Sequence, residues 1–536
     1  MLQQYVTFGI FMKRSFALFL LLLPILACVD KSKTGAPLPA ELPVTDLSGD
    51  QLAAIRCAAC HSFVPPEKLP KGVWKNDVLP AMGHRMGIFN GAHQPDSIFG
   101  SPANAEIVRR ANVFPEKPTI SKADWQKIVE YYVNTAPNSV PAPKRDHKIK
   151  MGLNHFNYRE ASLAHRPPLT SMVKIRAQNK GLVFSDSKRG NNVLTFLNPD
   201  LELERNLLLQ NTPINFYENQ DTIYLTTVGK NVFPSDMPDG ALQKITESRE
   251  NKEQMIATPV LSHLQRPVSM AYGDLNNDGR EDIVVCEYGD LTGKLVWFEN
   301  QGDNKYVERP LRNMPGAITA IISDYNKDGL NDIFVLMAQG DEGVFYYENQ
   351  GGGSFNEKRL LTFSPLNGSQ YIELVDFNKD GNPDLLYVCG DNADKSPILK
   401  DYHGIYIFLN DGNMNFEQAY FYQLNGAYKA MARDYDLDGD LDIAAISFFP
   451  DYQDSPEESF VYLENKGNLT FDDFTFPEAT KGRWIVMDAG DIDGDGDIDL
   501  ALGSFVYFLA QGDTTGLSKK WLEESPSVIL LENTKK

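Results

Sequence analysis

Cys57-Ala58-Ala59-Cys60-His61 puts two thiols and an imidazole into five consecutive positions of a chain that has only five cysteines. C-x-x-C-H is the attachment pattern of a c-type haem, in which the thiols add to the porphyrin vinyl groups and the histidine ligates iron. Two residues between the cysteines match the separation of the vinyls, and the adjacent histidine is thereby held beneath the metal. The competing chemistry for C-x-x-C is a redox-active disulfide; the histidine that follows, and the lack of a thioredoxin-like pattern around it, weigh against that. No second C-x-x-C is present to complete a zinc site. Downstream, "WKNDVLPAMGHRMGIF" supplies Met82, His84 and Met86 as sixth ligands. Met82 follows the Leu-Pro that orients the loop and is the first choice, and methionine ligation raises the reduction potential relative to a second histidine. The alternative reading of a methionine here is packing against the haem edge, and it is expected to hold for one of the two.

A second chemistry recurs five times beyond residue 270. "DLNNDGRED", "DYNKDGLND", "DFNKDGNPD", "DYDLDGDLD" and "DIDGDGDID" start at Asp274, Asp324, Asp376, Asp434 and Asp491, spaced 50, 52, 58 and 57 residues apart. Oxygen side chains stand at positions 1, 3, 5 and 9 of each: Asp274, Asn276, Asp278 and Asp282; Asp324, Asn326, Asp328 and Asp332; Asp376, Asn378, Asp380 and Asp384; Asp434, Asp436, Asp438 and Asp442; Asp491, Asp493, Asp495 and Asp499. Glycine at position 6 permits the turn that points them inward. Many hard oxygens at close quarters suit Ca²⁺ better than Mg²⁺, which keeps more water. The alternative is a turn that needs Asp and Gly for shape alone, and it weighs more for the three loops with Asn at position 3. These loops hold twenty carboxylates against a net charge of −21, so the acidity is mostly local. Such a charge argues against nucleic acid as a partner.

Both sets of residues need elements to hold them. "SGDQLAAIRCAACH" begins at a capping residue, Ser48, and runs helically into the cysteines. "SKADWQKIVEYYVNTAP" has Ser121 and Asp124 in capping spacing, then Trp125, Ile128, Val129 and Tyr132 at helical intervals, and ends at Pro137. The acidic loops are each followed by an apolar run such as "IFVLMAQG", then by a phrase such as "VFYYENQGGGSF", which reads as strand, tight turn and strand. Four antiparallel strands per unit of about fifty residues is the blade of a β-propeller. Residues 169 to 265 lack acidic loops but contain strand-like runs for two more blades, which makes seven. The last blade, "RWIVMDAG", "IDLALGSFVYF" and "SVILLEN", lacks a fourth strand; "HFNYREASLA" at 155–164 has no first blade before it and is expected to cross over and close the ring. Cys286 and Cys389, two blades apart, read as buried free thiols.

On these motifs the amino-terminal segment resembles a compact class I cytochrome c, which implies an all-α fold with haem c bound by Cys57, Cys60, His61 and Met82. The repeats resemble the FG-GAP or VCBS family, found also in the propellers of integrin α-chains, which implies a mainly β fold and loops that bind Ca²⁺. Met12-Lys13-Arg14 followed by "SFALFLLLLPIL" reads as an export signal, and Ile25-Leu26-Ala27-Cys28 resembles a bacterial lipobox, with Cys28 as the lipidated residue. An ordinary cleaved signal is the alternative. The domain order is then a lipoprotein-type signal (1–28), a linker (29–46), the haem domain (47–138), a second linker (139–150) and the propeller (151–536).

One covalent haem carries one electron at a time, and nothing in the propeller region resembles a flavin, quinone or nucleotide site or a nucleophile–base pair. The leading expectation is an exported, lipid-anchored electron-transfer cytochrome of the cell envelope, whose propeller docks a redox partner protein or an extracellular glycan. A haem-dependent oxidoreductase acting on a substrate held by the propeller, such as a saccharide, is the second. A purely adhesive propeller is the third, and the intact C-x-x-C-H speaks against it.

Overall fold

A computed structural model describes residues 42–89, 101–176, 180–188, 191–219, 222–247, 255–392, 398–507 and 513–535. Cys28 and the signal-like segment lie outside these. Residues from Val44 to Lys536 form one compact unit.

Seven antiparallel sheets make up most of it. The third blade shows the plan: strands Pro267–Gly273, Asp282–Glu287, Lys294–Asn300 and Tyr306–Arg312 pair in chain order. First strands touch the first strands of both neighbours all the way round, the seventh against the first included, so the ring is closed and the first strands line its axis. Second strands are apolar and wholly buried, as in Asp332–Met337 and Asp442–Ser447. Fourth strands face solvent: the middle of Tyr306–Arg312 and of Phe355–Thr362 is exposed. The core is therefore a set of apolar layers between adjacent blades, such as Phe334, Leu336 and Tyr346 of blade 4 against Ile372, Leu385 and Tyr387 of blade 5. Cys286 and Cys389 are fully buried thiols in those layers.

Closure follows the expected route. Phe156–Glu160 pairs with Val528–Asn533 and supplies the fourth strand of the seventh blade. Nothing in the sequence announced a further addition: Lys150–Met151 runs parallel to Phe471–Thr475 as a fifth strand of blade 6. The stretch 139–150, expected as a tether, is fastened down. Arg145 donates through Nη1 to Tyr422 Oη (2.6 Å) and through Nη2 to Glu458 Oε2 (3.0 Å), and His147 Nε2 lies 2.8 Å from Asp473 Oδ2. An arginine with only 11% of its side chain exposed is not part of a free linker.

The segment before it is helical. Helix α1 (Gly49–Arg56) starts at Ser48, whose side chain forms a capping box with Gln51. Lys71–Val73, a π-helical turn Trp74–Val78 and Leu79–Arg85 follow one another, then Pro102–Arg110, and last the helix Lys122–Thr135, whose cap Ser121 accepts from Asp124 N. Leu52, Trp74, Leu79, Trp125, Ile128 and Tyr132 form their common core, and Leu366 and Ile398 of the propeller pack against it.

Candidate functional site

Strand order places the two chemistries on opposite faces of the ring. Acidic loops connect strands 1 and 2 of blades 3 to 7. Among the described residues the helical segment meets segments that connect strands 2 and 3 or successive blades: Ser62 Oγ donates to Phe363 O (3.2 Å), Asn104 Oδ1 accepts from Asp236 N (2.8 Å), and Leu291 packs on Ala105 and Val108.

At the C-x-x-C-H motif, α1 ends as Cys57 N donates to Ala53 O (2.9 Å), and the chain turns through Cys60. Cys57 is half-buried against the helical core, and burial pushes its thiol pKa up; Cys60 is exposed. His61 Nδ1 lies 2.8 Å from the carbonyl of Ser62. With Nδ1–H donated there, the lone pair falls to Nε2, which is how a ligating imidazole is oriented. Residues 58–62 form one side of a cavity of about 640 Å³ whose other side is Met314, Asp341, Arg359 and Thr362, from the blade 3–4 connection and blade 4. It is an open groove, not an enclosed pocket. Cys60 and His61, one thiol and the imidazole of the set a c-type haem takes, line it; Cys57, the second thiol, packs one turn away against the helical core.

The sixth-ligand expectation fares differently. Met82 and Met86 are half-buried against the helical core, and neither lines this cavity. His84 is buried and stacks on Phe89 at 5.3 Å. The methionine in the cavity wall is Met314, which motif spacing could not reveal because it is more than 250 residues from His61.

The acidic loops share one backbone path. Asn277, Lys327, Lys379 and Leu437, at position 4, are left-handed (φ 58° to 60°), and so is glycine at position 6, as in Gly439 (φ 95°). Only glycine adopts that conformation without cost, so the strain sits at position 4, which the motif leaves unspecified. Position 1 accepts from the amide of position 6: Gly279 N to Asp274 Oδ2 at 2.8 Å, Gly439 N to Asp434 Oδ2 at 3.0 Å.

Position 9 has a role that ligand spacing did not suggest. Asp282, Asp332, Asp384, Asp442 and Asp499 are essentially fully buried, and each accepts from the backbone N–H of the asparagine that ends strand 3. The pairs are Asn300 (2.7 Å), Asn349 (2.8 Å), Asn410 (2.9 Å), Asn465 (2.8 Å) and Asn533 (2.8 Å). The recurring Asn before the hairpin turn was the signal: its partner is the last Asp of the loop. Some of these asparagines also reach the preceding blade, Asn349 Nδ2 donating to Leu275 O at 2.9 Å and Asn533 Nδ2 to Tyr435 O at 2.8 Å.

The loops then divide. Among the described residues, three carboxylates converge within 4.8 Å only at Asp434, Asp436 and Asp438 and at Asp491, Asp493 and Asp499. Asp442 and Asp495 are not in these groups. In the other three loops the position-3 amide satisfies its neighbour, Asn276 Nδ2 to Asp278 Oδ2 at 3.1 Å and the same pair at 3.0 Å in the next two. The amide oxygens of Asn276, Asn326 and Asn378, which accept from the backbone N–H of position 5, stand where the last two loops carry a carboxylate. In the last loop Asp497, at position 7, is buried with both carboxylate oxygens lacking a partner, and Asp434 Oδ1 lacks one as well. Burial first, then neighbouring carboxylates, pushes Asp497 up to about 7 and Asp499 to about 6. Buried carboxylates without donors are a donor set for a cation.

No curated protein matches the chain. Among solved structures it is similar to the N-terminal domain of Nup159 (11% identity, 72% of this chain and 97% of that one, TM-score 0.40). It is also similar to the periplasmic gluconolactonase PpgL of Pseudomonas aeruginosa (11%, 60% and 92%, TM-score 0.38). A third is an Agrocybe aegerita lectin that recognises non-reducing terminal N-acetylglucosamine (15%, 57% and 79%, TM-score 0.36). Likenesses at this level decide nothing about function. The FG-GAP-like repeat model matches residues 324–387 and 434–502, each match starting at an acidic loop and ending in the strand after the next one, so the seven-bladed propeller of this chain carries FG-GAP-like repeats.

Proposed function

We propose that the protein is an exported, lipid-anchored c-type cytochrome that passes single electrons, and that its propeller, stabilised by Ca²⁺, docks a redox partner or a glycan. The observation that carries this reading is the junction of Cys60 and His61 with a cavity of about 640 Å³. When bound, haem would supply one-electron transfer at iron; Cys57 and Cys60 would tether it and His61 Nε2 would ligate it, and Met82, the sixth ligand proposed from the sequence, lies on the helical core and not on the cavity wall. The chain's part is to keep the imidazole oriented through Ser62 O. The lipobox-like sequence ending at Cys28 supports attachment to a membrane of the cell envelope. Asp434, Asp436 and Asp438, and Asp491, Asp493 and Asp499, are the proposed cation sites that hold the strand 1–2 connections of blades 6 and 7.

The test is expression with a cytochrome maturation system. Haem that stays with the chain through denaturation, and low-spin ferrous bands, support the reading; a colourless protein with two free thiols at positions 57 and 60 refutes it and leaves a binding propeller.

A further inference from the structure

The cavity beside the C-x-x-C-H motif is only half built by the helical segment. Its far wall is Met314, Asp341, Arg359 and Thr362, and those residues are organised. Arg359 Nη2 lies 2.6 Å from both carboxylate oxygens of Asp341, and its guanidinium sits over the ring of Phe345 at 4.4 Å. Arg312 flanks the same ring at 4.1 Å and donates to Glu357 Oε1 at 2.6 Å and to Asp341 Oδ2 at 2.5 Å. A third of the Arg359 side chain stays exposed, so the charge is fixed in place without being sealed in. The width of the gap is set beside the motif itself, where Ser62 Oγ donates to Phe363 O at 3.2 Å.

We propose that the propeller completes the haem pocket, with Met314 covering the apolar macrocycle and Arg359, braced by Asp341, acting as counter-charge to its carboxylates. This rests on the haem reading of the preceding section. A porphyrin is a flat apolar body with two carboxylates at one edge; a thioether, a hydroxyl and a preoriented guanidinium with donors to spare are what that shape and charge require. Among the described residues the helical segment lines one side of the cavity, and Met314 and blade 4 line the other. Charge at that wall acts on the iron: a cation there favours the reduced state and an anion the oxidised one.

The experiment is a spectroelectrochemical titration of the full-length, haem-loaded protein and of Arg359→Gln, Arg359→Lys, Asp341→Asn and Met314→Ala. Arg359→Gln is expected to lower the reduction potential and Asp341→Asn to raise it, with haem content unchanged. Arg359→Lys should stay near wild type. Met314→Ala should lower the potential by admitting water. Opposite signs for the paired residues distinguish an electrostatic effect from loosened packing, which moves both the same way. Haem-loaded variants whose potentials all stay within error of wild type, or move together, overturn the proposal while leaving the cytochrome reading intact. A wild-type chain that takes up no haem at Cys57 and Cys60 overturns that reading and the proposal with it.

Discussion

Replacing Asp384 by alanine isolates what the last acidic residue of a loop does apart from any metal. Its Oδ1 accepts from Asn410 N and its Oδ2 from Phe377 N, both at 2.9 Å, and all three residues are at most 6% exposed. Alanine leaves two buried amides without acceptors, at about 1–3 kcal/mol each. Part of that is returned because burial raises the Asp384 pKa, so its charge is itself a cost in the fold. The net expectation is a loss of about 2–4 kcal/mol, a large share of the ~5–15 kcal/mol that holds a domain together. Asp380, four positions earlier, supplies the contrast: it accepts from Asn382 N at 2.8 Å and Asn378 Nδ2 at 3.0 Å, but at the exposed surface, where water replaces it. Asp380→Ala should change stability by no more than about 0.5 kcal/mol. Urea unfolding followed by tryptophan fluorescence, in EDTA so that cations play no part, measures both. If Asp384→Ala costs no more than Asp380→Ala under those conditions, position 9 is not the tie between loop and hairpin.

Further outcomes follow from other parts of the molecule. Ca²⁺ at a hundred times its dissociation constant should stabilise the protein by about 2.7 kcal/mol per occupied site; Asp434→Ala and Asp491→Ala should abolish part of that gain while melting like wild type in EDTA, and a melt indifferent to both EDTA and Ca²⁺ refutes the cation sites. Met82→Ala should remove the methionine-to-iron absorption band and Met86→Ala should not; a band that survives in the first variant transfers the ligand role to Met86, His84 or Met314. Arg145→Ala strands Glu458, which is 1% exposed, and should cost about 3–5 kcal/mol in thermal or urea unfolding. His147 is held above the usual histidine range by hydrogen bonds to Asp146 and Asp473, so its contribution is complete below the unfolded value of about 6.5 and is lost as pH rises through the higher folded value; limited proteolysis within 139–148 should therefore quicken above neutral pH, and a rate flat from pH 5 to 9 refutes it. Cys28→Ser should release the protein from membranes, whereas unchanged sedimentation with the membrane fraction means that Cys28 is not the anchor.

Repetition made the architecture legible. A fixed period of roughly fifty residues, an apolar run after each loop and a hairpin phrase after each run are local signals, because strand alternation and turn chemistry act over a few residues. Seven blades, the crossover of 155–164 and the caps at Ser48 and Ser121 could be read from that pattern. The C-x-x-C-H motif was equally plain, since its chemistry is contained in five consecutive residues. What adjacency along the chain could not supply is which distant groups meet. Met314 and Arg359 reach the motif only because the helical segment docks on the face where blades 3 and 4 present their connections. Asp384 finds Asn410 through a ladder whose register depends on the whole blade. The loops with Asp at position 3 gather carboxylates while those with Asn tie up their own, because the amide offers a donor where the carboxylate has none. Arg145 is held by Glu458, 313 residues away, and only the closed ring brings that carboxylate beneath it.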